Sequence, residues 1–143
     1  MNIKSNLEQI KSKISKDIKV IAVSKTKSIN EIFKAYNFGQ ISFGENKVQE
    51  LLEKSIVLPK DIEWHFIGHL QRNKVKFIIP FIHLIQSVDS FSLIDEINKR
   101  AEREKRIINC LIQVKIASEE SKFGFHYSKI DEVLEYSKKL NYI

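Results

Sequence analysis

The sequence predicts an α/β fold of the (β/α)8 TIM-barrel type, present as an incomplete barrel with an N-terminal helix and about five βα units. Three observations carry that prediction. Apolar runs that read as strands begin near residues 20, 41, 63, 84 and 107, so successive starts lie 21, 22, 21 and 23 residues apart. A helical pattern follows each run, and a repeating strand-then-helix unit demands parallel pairing with right-handed crossovers. The runs end in Lys25, Glu45, Gly68, Asp89 and Lys115, which gathers polar groups on one rim, as in the functional face of such barrels. A doubly wound open sheet shares the first two features, but no Gly-rich turn follows the first strand to favour it.

The elements follow in chain order. Ile3, Leu7, Ile10, Ile14 and Ile18 form one apolar stripe, predicting an amphipathic helix over 3–18 that lies on the outside. Val20 to Val23 is an uninterrupted apolar run, the pattern of a strand buried on both faces. A helix over about 28–38 carries Ile29, Ile32, Phe33 and Tyr36 on one stripe, and Gly39 stops it. The second strand is Ile41 to Glu45. Asn46 can cap the next helix, whose stripe is Val48, Leu51, Leu52 and Ile56, and Pro59 ends that unit. The third strand is Glu63 to Gly68, followed by a short helix near 72–79 that Pro80 breaks. On this strand His65 and Ile67 alternate with Trp64 and Phe66; one pair faces inward, and the sequence leaves open which. The fourth strand is His83 to Val88. Asp89 and Ser90 offer a cap for a helix with Leu93, Ile94, Ile97 and Ala101 inward. The fifth strand is Ile107 to Ile116, and a last helix carries Ile130, Val133, Leu134, Ser137 and Leu140 on one face.

Eight such units need about 200 residues or more, whereas this chain has 143. Residues 1–143 are therefore expected to be one partial barrel domain: the helix over 3–18, then βα units over 19–143 and the opening of a sixth strand at Tyr142-Ile143.

At 43% hydrophobic and 29% charged, the composition is that of a globular chain. The net charge of +6 is spread among interleaved acids and bases, without a nucleic-acid-binding motif, so no nucleic-acid partner is expected. No apolar run approaches the roughly 18 residues of a membrane span. The single Cys110 lies within the apolar run 107–114, where it reads as a buried small hydrophobe. One cysteine and no signal-peptide pattern point to a reducing, cytoplasmic setting without membrane attachment. His65, His69, His83 and His126 show no ligand spacing on one helix face, so no metal set is expected.

Lys25 is the first candidate for chemistry. It stands where the first strand meets its loop. Partial desolvation there would lower the pKa of an ammonium and make the amine nucleophilic, the requirement for a Schiff base with a carbonyl compound. Lys27 would add like-charge repulsion. The bland alternative is a solvated loop lysine in a lysine-rich chain. The bland reading of Asn46 is a helix cap, that of His65 a hydrogen-bonded core residue, and that of Asp89 a cap alone.

Several stretches occur together and in order over residues 20–124: Ala22-Val23-Ser24-Lys25-Thr26-Lys27, Phe43-Gly44-Glu45-Asn46-Lys47-Val48-Gln49-Glu50, Glu63-Trp64-His65-Phe66-Ile67-Gly68-His69-Leu70-Gln71-Arg72-Asn73-Lys74, Ser87-Val88-Asp89-Ser90, and Leu111-Ile112-Gln113-Val114 with Glu120-Ser121-Lys122-Phe123-Gly124. In these the chain resembles the pyridoxal phosphate homeostasis proteins, which are similar to the N-terminal barrel of alanine racemase. The resemblance implies pyridoxal 5'-phosphate (PLP) as cofactor, held as an aldimine by the lysine matching Lys25, with Asn46 beside it. Ile67 and Ser87 join them as candidate cofactor-binding positions, and Lys122 is a candidate second lysine. It also implies a phosphate grip after the last barrel strands, which lies beyond residue 143.

The function expected from the resemblance is PLP binding in vitamin B6 and amino-acid homeostasis. The chain would then be a carrier or regulator without catalytic activity, with PLP-accepting apo-enzymes as partners. Two other readings stand beside it. One is a PLP-dependent racemase or lyase, which needs a positioned base. The other is a non-functional fragment of a split or frameshifted gene, prone to self-association through open sheet edges.

Overall fold

The computed structural model describes residues 2–116 and 123–143. Its centre is a five-stranded sheet of β1 (Ala22–Val23), β2 (Ser42–Glu45), β3 (Glu63–Phe66), β4 (Leu84–Val88) and β5 (Asn109–Ile112). The strands pair in chain order, and every pair is parallel. A doubly wound sheet reverses its strand order at a switch point; sequential order without reversal is that of a barrel wall. Among the described residues the wall is an arc, with β1 and β5 as its edges.

Helices α1 (Ile3–Ser12), α2 (Ile29–Asn37), α3 (Val48–Val57), α4 (Val75–Ile78), α5 (Phe91–Arg103) and α6 (Ile130–Ser137) complete the chain. The core lies between one face of the sheet and these helices. Phe43, Trp64, Phe66 and Ile85 point outward from the wall, and Leu51, Ile78, Leu93 and Ile97 meet them; all eight are at most 3% exposed. Each such side chain contributes about 1.5–3 kcal/mol by leaving water. Ser28 caps α2 in a full capping box with Glu31, and Ser90 caps α5.

The other sheet face lines the barrel interior. Ile67 and Ile21 both approach Gly44: a Cβ there would meet Ile67 Cδ1 at 3.1 Å and Ile21 Cγ2 at 3.4 Å. His65 shares that inner face with Ile67, which settles the alternation on the third strand; Trp64 and Phe66 face the helices.

Several expectations are corrected. The first helix ends at Ser12 and buries none of its residues. Beyond it, local side-chain bonds compete with helical pairing, as when Asp17 N–H donates to Ser15 Oγ at 3.5 Å. The first strand has two residues, and the expected burial of both faces fails: Val23 is 54% exposed, because β1 is an edge and its inner side faces the open arc. The Gln40 side chain takes up the Val20 carbonyl at 2.8 Å in place of a longer ladder. Ile56, expected inward, is 72% exposed.

The long fifth run divides. β5 stops at Ile112, and β6 (Val114–Lys115) leaves the wall to pair in parallel with β7 (Phe125–His126), a strand that sequence patterning does not reveal. Gln113 is the pivot. Its N–H donates to Val88 O at 2.8 Å, while its carbonyl accepts from Phe125 N–H at 2.8 Å.

Candidate functional site

Lys25, Asn46 and Gly68 follow the C-terminal ends of β1, β2 and β3, so three neighbouring strands bring them to one rim. Lys25 is exposed, and the expected partial desolvation is absent, because β1 has a neighbour on one side only. Among the described residues its amine forms no hydrogen bond or ion pair. Lys27 does not act as a free like-charge neighbour, since its ammonium lies 3.8 Å from Glu31 Oε1.

The backbone that carries Lys25 is held from beneath. Ser24 is 3% exposed, and its hydroxyl donates to Glu45 Oε1 at 2.6 Å. Lys54, on α3, donates to the Ser24 carbonyl at 2.7 Å, to Glu45 Oε1 at 2.7 Å and to Glu50 Oε1 at 2.6 Å. Glu45 thus turns away from the rim, where its place at a strand end had put it, into a buried ion pair. Glu50 also accepts the Thr26 N–H at 2.7 Å. Thr26 has φ 66°, in the left-handed region that a β-branched residue rarely occupies. Such conformations cost of order 1–3 kcal/mol and persist where surrounding bonds over-determine them. Here the Glu50–Lys54 pair does so, one residue after the candidate lysine.

Asn46 is half-buried and does not cap α3; Lys47 is the cap residue, without a side-chain bond. The cause is the close approach of the next strand end. A Cβ at Gly68 would lie 2.4 Å from Asn46 O, so only glycine lets the two backbones meet. Ile67 lies on the inner face below this contact. Ser87 is 2% exposed on β4, and its hydroxyl has no hydrogen-bond partner among the described residues. Asp89 is not a cap either. Its Oδ2 lies 2.9 Å from His69 Nδ1, and the His69 ring stacks on Phe123 at 3.6 Å between centroids. Lys122 lies outside the described residues.

At the opposite end of the wall the structure assembles a set that spacing along helices could not reveal. Glu63 and His65 share the inner face of β3, and His83 stands just before β4. Their ligand atoms lie within 4.8 Å of one another. Adjacent parallel strands, not one helix face, supply the three groups. The signal was present as Glu-x-His on a strand, with a further histidine one repeat later. Burial, then the nearby His83 and Lys19 charges, push the His65 pKa down to about 4. Hydrogen bonds from Lys19 and Ser42 hold the Glu63 carboxyl below its ordinary value. A cavity of about 500 Å³ opens beside Glu63, lined by Lys11, Ile14, Lys16, Ile18 and Gln40. It lies far along the strands from Lys25. The rim has its own cavity of about 400 Å³, lined by Asn46, Gln49, Phe66, His69 and Lys74.

The family described as alanine racemase, N-terminal domain, matches residues 1–143. A pyridoxal phosphate homeostasis protein of Pasteurella multocida is 38% identical over 153 aligned positions, which cover 98% of this chain and 64% of the relative. Proteins of the same name from Aquifex aeolicus and Homo sapiens are 42% and 38% identical, over 85% and 82% of this chain and 54% and 46% of their own lengths. The chain therefore spans about half to two thirds of these curated relatives. Among solved structures, PipY of Synechococcus elongatus without PLP superposes with TM-score 0.93 at 31% identity, over 99% of this chain and 66% of that one. PipY with PLP bound gives 0.89. Alanine racemase of Clostridium difficile shares the fold, with TM-score 0.79 at 18% identity. Among the described residues, no helix is long and apolar enough to cross a membrane.

Proposed function

The chain belongs to the alanine racemase N-terminal domain family, and on that premise we propose that it binds pyridoxal 5'-phosphate at the rim, through the amine of Lys25, and serves PLP homeostasis as a carrier or regulator. Residues 1–143 act in this reading as one partial barrel domain. The observation that carries it is the held backbone at 24–26. Three hydrogen bonds from Lys54, together with the left-handed Thr26, fix the approach of an exposed lysine whose amine is free of partners among the described residues.

The cofactor supplies an aldehyde that condenses reversibly with an amine, with loss of water. The residues present fit that end of the group. Lys25 provides the amine, Gly68 keeps Asn46 close to the rim, and Ile67 gives an apolar floor on the inner face. Ser87 brings a buried hydroxyl that forms no hydrogen bond among the described residues. The name shared by the relatives and PLP in PipY support the same assignment. Apo-enzymes that need the cofactor are the partners this role implies, and the edges that β1 and β5 present among the described residues favour self-association.

Titration of the purified chain with PLP tests the proposal. A saturable visible absorbance is expected, lost in Lys25→Ala. Borohydride reduction followed by peptide mass spectrometry should place the modification on Lys25. Absence of the signal in folded protein, or its persistence in Lys25→Ala, overturns the assignment.

A second reading, a racemase or lyase, gains one observation. The His69–Asp89 pair stands at the same end of the wall, where an imidazole could take up a proton. Amino-acid racemisation that depends on His69 would establish it.

A further inference from the structure

Glu63, His65 and His83 lie at the end of the wall away from Lys25, and the reading of the rim makes no use of them. We infer that these three side chains bind a divalent transition-metal ion of the Zn2+ class, with Glu63 Oε1, His65 Nε2 and His83 Nε2 as ligands.

Two independent observations point to an ion. The first is proximity: one ligand atom from each of the three residues falls within 4.8 Å of those from the other two, and Glu63 Oε1 lies 4.0 Å from His83 Nε2. Tetrahedral zinc with bonds of about 2.0–2.2 Å needs ligand separations of about 3.3 Å. The set must therefore draw in by an ångström or so. The Glu63 and His83 side chains, 32% and 39% exposed, have the freedom to move that far. The second is a buried ring nitrogen without a partner. His65 is 1% exposed, and its Nε2 has no hydrogen-bond partner among the described residues. A buried imidazole nitrogen left this way costs free energy unless something coordinates it.

The surroundings have the form that metal ligands require. Glu63 is anchored by its other oxygen: Oε2 accepts from Ser42 Oγ at 2.6 Å and lies 2.6 Å from Lys19 Nζ, so Oε1 is left for the ion. Gln86 Nε2 lies 3.0 Å from His65 Nδ1. A half-turn of that amide presents its oxygen, which accepts the Nδ1 proton and leaves Nε2 with its lone pair. The backbone fixes the spacing, since Glu63 and His65 are two apart on one strand face and His83 N–H donates to Trp64 O at 2.9 Å. Two imidazoles and one carboxylate suit zinc, with water in the fourth position. The ion would staple β3 to the residue that leads into β4.

Titration of the cofactor-free chain with Co2+, whose colour reports coordination, and displacement by Zn2+ test the inference. One equivalent should give a saturable visible band that Zn2+ removes. His83→Gln and Glu63→Gln should each weaken binding at least tenfold, while His126→Gln leaves it unchanged. In the unsubstituted chain, Zn2+ should shift the imidazole proton resonances of His65 and His83 and leave those of His69 and His126 in place. No saturable band, undiminished binding in His83→Gln, or imidazole shifts confined to His69 and His126 would overturn the assignment.

Discussion

The ammonium of Lys54 donates to the carbonyl of Ser24 at 2.7 Å, so a helix residue 30 positions away holds the peptide that leads into Lys25. The same ammonium neutralises Glu45, which is wholly buried, and reaches Glu50. One cation thus serves the fold and the rim together.

Lys54→Met should destabilise the chain by about 3–5 kcal/mol, because it strands the Glu45 carboxylate in the interior. Urea unfolding of the variant measures this. The double variant Lys54→Met with Glu45→Gln should recover a large part of the loss, since no buried charge is left without a partner.

Acid sensitivity follows from Glu50. The hydrogen bond from Lys54, then that from the Thr26 N–H, hold its carboxyl below the ordinary value of 4.5. A carboxyl depressed in the folded state contributes stability that is fully present above its unfolded pKa and is lost as pH falls through the lower folded value. Unfolding free energies between about pH 5 and pH 2 should therefore fall less steeply in Glu50→Gln than in the unsubstituted chain. Equal slopes would remove Glu50 from the acid response.

Gly68→Ala should cost about 1–3 kcal/mol, because the new methyl would meet a backbone oxygen that cannot rotate away. That oxygen is Asn46 O, 2.4 Å from the added carbon. PLP uptake should weaken in parallel, as Asn46 is pushed from the rim. A fully stable variant with unchanged uptake would contradict the close approach.

Cys110 should be inert while the chain is folded. Burial pushes its thiol pKa up to about 12, so the thiolate, which is the reactive species, is scarce at neutral pH. Modification by a disulfide reagent at about pH 8 should run at least about a hundredfold slower than in urea. Similar rates would show that the β5 region opens readily.

The periodicity of the chain was enough to determine a parallel βα wall, its helix order and the rim position of Lys25, because buried strands and amphipathic helices write their spacing directly into the apolar pattern. The motif stretches identified the family. Other features depended on contacts between residues distant in the chain. Whether His65 or Trp64 faces inward depends on which side the helices cover, and a strand buried on both faces has no alternation to show it. The turn of Glu45 away from the rim depends on Lys54 reaching back from α3. The break at Gln113 depends on β7, a two-residue strand too short to carry a period. Asn46 lost its cap because Gly68 approaches from the next strand. The meeting of Glu63, His65 and His83 arises from strand register, which apolar spacing does not encode and only the pairing of β3 with β4 decides.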